Sequence, residues 1–296
     1  MLSKKIDFAI IISVKNANPN GDPLNGNRPR VNYDGLGEIS DVCIKRKIRN
    51  SLLDDGVAIL VQSDAYRIDE HRSIKARYDA NKEIKAAKND DNKHYTIACK
   101  TWYDVRAFGQ VLAFKGKKGE KSNSQEQERD QDQEQNDGSK KTAGVSIPIR
   151  GPVSIQSAFS IETVDVENLH ITKSVNLETE KVPIKKAKDT MGMKHRVNKA
   201  VYVSYGSINK QLAEKTGFTD DDAEKLKTAI LKMFENDMSS ARPAGSMVVT
   251  KLIWWTHTAK TLSSAKVHGS LAVNPDGTYY FAERFDGIDI QEIDGE

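Results

Sequence analysis

The sequence predicts an α+β fold of the ferredoxin-like, RNA-recognition type. Three observations carry that prediction. An alternating apolar strand spans residues 6–15, a basic amphipathic helix spans 41–54, and a second amphipathic helix over 220–238 precedes a strong apolar strand, Met247–Trp255. With 296 residues, 38% hydrophobic and 7% aromatic, the chain suits one large domain with a lean core and long solvated insertions.

The first strand puts Phe8, Ile10, Ile12 and Val14 on one face and Ala9, Ile11 and Ser13 on the other, as a buried strand requires. Residues 16–37 are rich in Asn, Gly and Pro and hold the turn run Asn18-Pro19-Asn20-Gly21-Asp22-Pro23. Such a loop exposes amides that suit a phosphate or ribose, and it equally suits a plain surface loop. The helix over 41–54 takes Asp41 as its N-cap. Ile44, Ile48 and Leu52 share its apolar face, and Lys45, Arg46 and Arg49 share an adjoining one. Residues 45–49 hold four bases and no acid, so no i,i+4 ion pair forms within the stretch, and phosphate contact competes with a solvated face.

Residues 55–100 read as a charged, helical insertion, and Thr101–Phe114 returns to core-like residues. Residues 115–144 contain no Val, Ile, Leu, Phe, Tyr, Trp or Met, so a disordered, acidic, Gln-rich loop is expected over 115–143. Strands resume from Val145 through Ile161, with Arg150 expected in a loop entering a strand. Residues 171–199 carry eight bases against three acids, and inside the stretch lies Thr190-Met191-Gly192-Met193-Lys194-His195-Arg196. Two methionines beside cations suit a flexible tip pressed against bases, or a loop whose methionines fill a gap in the core. Thr219 and Asp222 form a capping box, and Leu226, Ile230, Met233 and Phe234 form a buried face. Asp220, Asp221 and Asp222 answer the helix dipole, so no metal site is expected there. The aromatic signature with which RNA-recognition sheets stack bases is absent, so loops and helix flanks are left to hold any RNA.

The formal charge is +3, but residues 120–137 alone contribute −5, which leaves the rest of the chain at +8. A basic body suits a polyanion. Cys43 and Cys99 lie in no CxxC pair and read as thiols of a reducing cytosol. With no signal-peptide core and no apolar run of membrane-spanning length, a cytoplasmic protein with no membrane contact is expected.

The first strand with Asn18–Pro23, then Asp41–Asn50, resembles the start of the backbone subunits of type I CRISPR Cascade complexes. Tyr103–Gly109, Arg150–Val153, Thr190–Arg196 and Trp254-Trp255 sharpen the resemblance to the type I-C branch. The insert over 115–143 departs from it. The resemblance implies one RNA-recognition-like palm over 1–296, with a helical finger insertion at 55–100 and a β-hairpin thumb at 171–199. It implies head-to-tail copies along one guide crRNA, periodic kinking of the guide by the thumb, and pairing of the exposed segments with target DNA. The other Cascade subunits, including the guide-processing and large subunits, would be partners. Residue by residue, Lys45, Arg46 and Arg49 would grip guide phosphates, with Asn18 and Asn20 along the same path and Arg150 a further contact. Met191, Met193, Lys194 and His195 would form the wedge. No cofactor, metal or catalytic residue is implied. The alternative is an endoribonuclease of the same ferredoxin-like superfamily, for which Asp22, Asp34 and His195 are the candidate groups.

Overall fold

The computed structural model describes residues 1–88, 90–114, 145–173, 191–259 and 261–295. Strand β1 (Ile6–Ala17) leads through β2 (Gly21–Asp22), β3 (Arg28–Pro29) and β4 (Leu36–Ile39) to helix α1 (Asp41–Asp54). Helices α2 (Ile74–Ala80), α3 (Lys82–Ala87), α4 (Asp91–Thr101) and α5 (Tyr103–Phe108) follow, then β5 (Gly109–Phe114) and β6 (Val145–Arg150). Next come β7 (Val153–Ile155), β8 (Ala158–Thr163), β9 (Val166–Thr172), β10 (Met191–Ile208), α6 (Lys210–Thr216) and α7 (Asp220–Leu231). Last are β11 (Met247–His257), α8 (Ser264–Gly269), β12 (Leu271–Val273), β13 (Tyr279–Phe281) and β14 (Ile288–Asp294).

The main sheet runs β14-β11-β1-β10-β8-β4, with β7 and β9 also pairing to β10. All its pairings are antiparallel. Counting β1, β8, β10 and β11 as the four strands of a βαββαβ unit gives the spatial order 4-1-3-2, with α1 after the first and α7 after the third. That is the ferredoxin-like arrangement expected from the sequence.

Both faces of the sheet are covered. Phe8, Ile10, Ile12 and Val14 pack in one core with Ile44, Ile48 and Leu52 of α1 and with Leu226 and Ile230 of α7. On the opposite face Ala9, Ile253 and Trp255 meet Val267 and Leu271 of the C-terminal segment. Each residue from Phe8 to Ile12 is 0% exposed. An RNA-recognition sheet that stacks bases needs an open face. Here α8 and the β12–β13 hairpin occupy it, which accounts for the missing aromatic signature.

Several elements differ from expectation. Ser40, not Asp41, is the N-cap of α1: its hydroxyl accepts from Cys43 N at 3.4 Å while Asp41 sits in the first turn. The hydroxyl is short enough to turn back on the helix, and the acid one residue later gains from the dipole instead. Helix α7 has the expected capping box but ends at Leu231, not 238. Met233 and Phe234 still contribute to the core from the turns that follow, while Asp237 is drawn toward α1 by Lys47 and toward Arg242.

Helices α2–α5 contribute to a second core with Leu60, Tyr78, Trp102, Val105, Leu112, Ile147 and Ile149. It draws on β5 and β6 from either side of 115–144 as well as on 55–100. The expected acidic loop at 115–143 lies outside the described residues, as do residues 174–190 of the stretch 171–199. The two ends of that stretch are described: β9 and the start of β10 form a hairpin ladder from Val166↔Val197 to Thr172↔Met191.

Candidate nucleic-acid interface

The C-terminal end of β1 gathers three segments. The loop after Ala17 closes against the 237–246 turn, with Asn18 N donating to Ala241 O at 2.8 Å and Lys15 N to Ser246 O at 2.8 Å. Helix α1 begins beside that loop. The β9–β10 hairpin continues beyond the pairing of Ala17 with Val197.

Asn18 and Asn20 shape the loop. Asn20 Oδ1 accepts from both the amide (3.0 Å) and the hydroxyl (2.8 Å) of Ser40, so it braces the residue that caps α1. Asn18 is 3% exposed and donates to Asn27 O at 2.7 Å. Its Oδ1 is buried without a hydrogen-bond partner among the described residues.

The basic stretch of α1 is not the unpaired cluster that its local sequence suggests. Lys45 pairs with Asp41 at 3.0 Å. Lys47 is buried against Asp237, and burial, more than its neighbours, holds its amine below the usual lysine range. Arg49 Nε donates to Asp104 at 3.0 Å, and its guanidinium lies 5.0 Å from the Phe108 ring centre. Two of these carboxylates stand 55 and 190 positions away in the chain, beyond the reach of an i,i+4 inspection. Arg46 is exposed and has no ion pair among the described residues.

Beside Arg46 opens a cleft of about 380 Å³ lined by Asn20, Arg46, Lys47, Asn50, Tyr66 and Arg242 among others. Arg242 Nε donates to Asp237 at 2.7 Å, so Asp237 holds Lys47 and Arg242 together. Sequence reasoning missed Arg242 and Tyr66. The only signal for Arg242 was a single base in the turn-rich run Ser239–Pro243.

On the hairpin, Met191 and Met193 are 73% and 52% exposed. His195 does not share that exposure: it is 9% exposed, and its Nδ1 lies 2.7 Å from Asn168 Oδ1. It lies at the neck of the hairpin, on the same face as Met191 and Met193 but two residues nearer the pairing of Val197 with Ala17, where the body covers it. Lys194 pairs in register with Leu169 and faces the other side. Arg150 is the last residue of a strand and not part of a loop, and its register partner is Gly109. The following strand, β7, pairs Val153 with Ile208, which is also the partner of Ile6. Arg150 therefore lies toward the opposite end of the sheet from the cleft. Asp22 accepts from Leu24 N at 3.2 Å and pairs with Arg30 at 3.4 Å, while Asp34 is exposed in its turn. Among the described residues no group of three or more His, Cys, Asp or Glu is placed to hold a metal ion, and no helix is long and apolar enough to cross a membrane.

A ferredoxin-like sheet, closed on both faces, with a basic cleft and a projecting hairpin at one end defines a class of protein that handles ligands from its loops and helix flanks. A sequence profile of the family described as CRISPR-associated protein Cas7 matches residues 4–292, and the chain belongs to that family. A Cas7 protein of Haloferax volcanii is 25% identical over 246 residues, which is 81% of this chain and 66% of that relative's length. Two solved structures are similar at low identity. A chain of a "CRISPR RNA-guided surveillance complex, pre-nicking" has a TM-score of 0.45 at 14% identity, covering 88% of this chain and 80% of its own. A chain of a "CRISPR RNA-guided surveillance complex" has 0.42 at 15%, covering 93% and 77%.

Proposed function

We propose that this chain is the repeated, non-catalytic backbone subunit of a type I-C Cascade complex. It polymerises head-to-tail along guide crRNA and holds the guide open for pairing with target DNA. Membership in the Cas7 family supports the class, and the motifs Tyr103–Gly109 and Thr190–Arg196 support the branch. One observation carries the mechanism: exposed Arg46 and its cleft lie at the same end of β1 from which the hairpin bearing exposed Met191 and Met193 projects.

In this reading Arg46, aided by Arg242 and by Lys45, grips phosphate. Met191 and Met193 press between bases. Neither contact depends on base identity, because one uses charge and the other a π-face that every base has. Division of labour follows: pairing reads sequence and the protein reads backbone. The palm spans 1–296, the finger 55–100 and the thumb 171–199. Other Cascade subunits, including the guide-processing and large subunits, bind the ends and flanks of the array.

The test is to assemble the protein on guide RNA and map base reactivity along it. The wild type should give a regular period of hyper-reactive bases. Met191→Ala with Met193→Ala should flatten that period with little loss of RNA affinity. An unchanged period would sink the wedge, and guide cleavage abolished by His195→Ala would overturn the non-catalytic reading.

A further inference from the structure

Between the two parts of this interface lies one shared hydrogen-bond acceptor. Asn168 sits on β9 opposite His195. Its Oδ1 lies 2.7 Å from His195 Nδ1 and accepts from Arg28 Nη1 at 2.9 Å. The two bonds fix each other's chemistry. An arginine can only donate, so the Asn168 atom facing it is oxygen, and the imidazole nitrogen on the same oxygen must carry its proton.

Each end of this relay is anchored. Arg28 is held on β3 by the ladder pairs Gly21↔Pro29 and Asp22↔Arg28. The residue before it, Asn27, accepts from Asn18, and Asn20 at the head of β2 braces Ser40, the cap of α1. On the other side His195 stands two residues from Met193 and four from Met191 on the same face of the hairpin. Hydrogen bonds and the short chain between them thus connect the start of the phosphate-facing helix to the neck of the hairpin, and Asn168 joins β3 to the hairpin through its side chain, where β3 also lies against β10.

We infer that Asn168 is a positioning residue: by holding Arg28 and His195 on a single oxygen it fixes the angle of the hairpin relative to α1. This rests on the grip-and-wedge reading above. Its consequence is that the spacing between gripped phosphate and pressed base is set inside each subunit before any RNA binds.

Two measurements test it. The first uses the free protein and amide hydrogen exchange over 166–172 and 191–197 and at the amides of Asn27, Arg28 and Arg30 in and beside β3. Asn168→Ala should speed exchange at both the hairpin neck and β3 by about fivefold, the factor expected for one ordinary hydrogen bond. Asn168→Asp keeps the acceptor and should restore protection. The second uses the wild-type array, once its periodic base reactivity has been recorded. Asn168→Ala should blur that period without weakening RNA affinity, and Asn168→Asp should sharpen it again. Unchanged exchange in Asn168→Ala would remove the relay. Faster exchange with an intact period would remove the positioning role while leaving the wedge standing. Absence of any period in the wild type would count against the grip-and-wedge reading and, with it, against the positioning role.

Discussion

Asp104 should be among the most costly single positions in the chain. It is 1% exposed, and its carboxylate accepts from Arg49 Nε (3.0 Å), Leu60 N (2.8 Å) and Val61 N (3.1 Å). It thereby ties α1 to the chain that enters the second core. Asp104→Ala strands the Arg49 guanidinium, whose side chain is only 14% exposed, and the amide of Leu60, which is 0% exposed. Removing one partner of a buried pair costs ~3–5 kcal/mol. Water reaches Arg49 and Val61 in part, so the lower end, about 3 kcal/mol, is expected. Asp104→Asn keeps an acceptor for Leu60 N and should lose roughly half as much. Asp41→Ala breaks the more exposed Lys45 pair and should stay below ~1 kcal/mol. Urea unfolding midpoints of the three variants give the comparison. A loss for Asp104→Ala under about 1 kcal/mol, or equal to that for Asp41→Ala, would refute the claim that this ion pair joins the two cores.

Arg46→Ala should leave the urea midpoint unchanged while lowering the salt dependence of RNA binding by about 0.7 in log–log slope, as one lost phosphate contact requires; filter binding at several salt concentrations measures it. Arg49→Ala should do the reverse, lowering stability by about 1–3 kcal/mol with a smaller effect on the slope, because its guanidinium is spent on Asp104. Gly206→Ala should cost at least ~1–3 kcal/mol in thermal or urea unfolding, since a Cβ there would overlap the Phe8 ring in the core. Burial, foremost among its surroundings, holds the His268 imidazole below its ordinary value of 6.5, against the opposing pull of Asp7. The unfolded chain therefore takes up this proton first. The stability His268 contributes should be intact above pH ~6.5 and should fall as the pH drops toward its lowered native value. Melting curves at pH 5.5 and 7.5 for wild type and His268→Gln should show a smaller pH difference in the variant.

The framework of the fold was legible because its signals are local. Alternation in β1 marked both faces correctly, and the boundaries of α1 followed from a run of apolar residues at helical spacing. The site was legible only in part. Lys45, Arg46 and Arg49 look equivalent in sequence, yet only Arg46 is left without an ion pair among the described residues. Its neighbours' partners are set by tertiary folding, with Asp104 on α5 and Asp237 after α7. His195 looked like part of an exposed tip, and the cross-strand partner that withdraws it, Asn168, is identifiable only once the hairpin register is known. Arg242 went unnoticed because a single base in a turn carries no periodic signal. The covering of the second sheet face by α8 and β12–β13 was equally silent, for short elements that pack through scattered aromatics leave no pattern of their own.

The central strand has an awkward birth order. Ile6 meets Ile208 on one side and Thr256 on the other, so both neighbours of β1 are made long after it. At a synthesis rate of about 5–20 residues per second, roughly 10–40 s pass before β1 has a ladder partner. Over that interval a run of apolar residues from Phe8 to Ile12 waits without its sheet. The second core needs only residues between Leu60 and Ile149 and can close meanwhile. The second core is therefore able to form before the main sheet, and yield in the cell should be most sensitive to what shields β1 during translation.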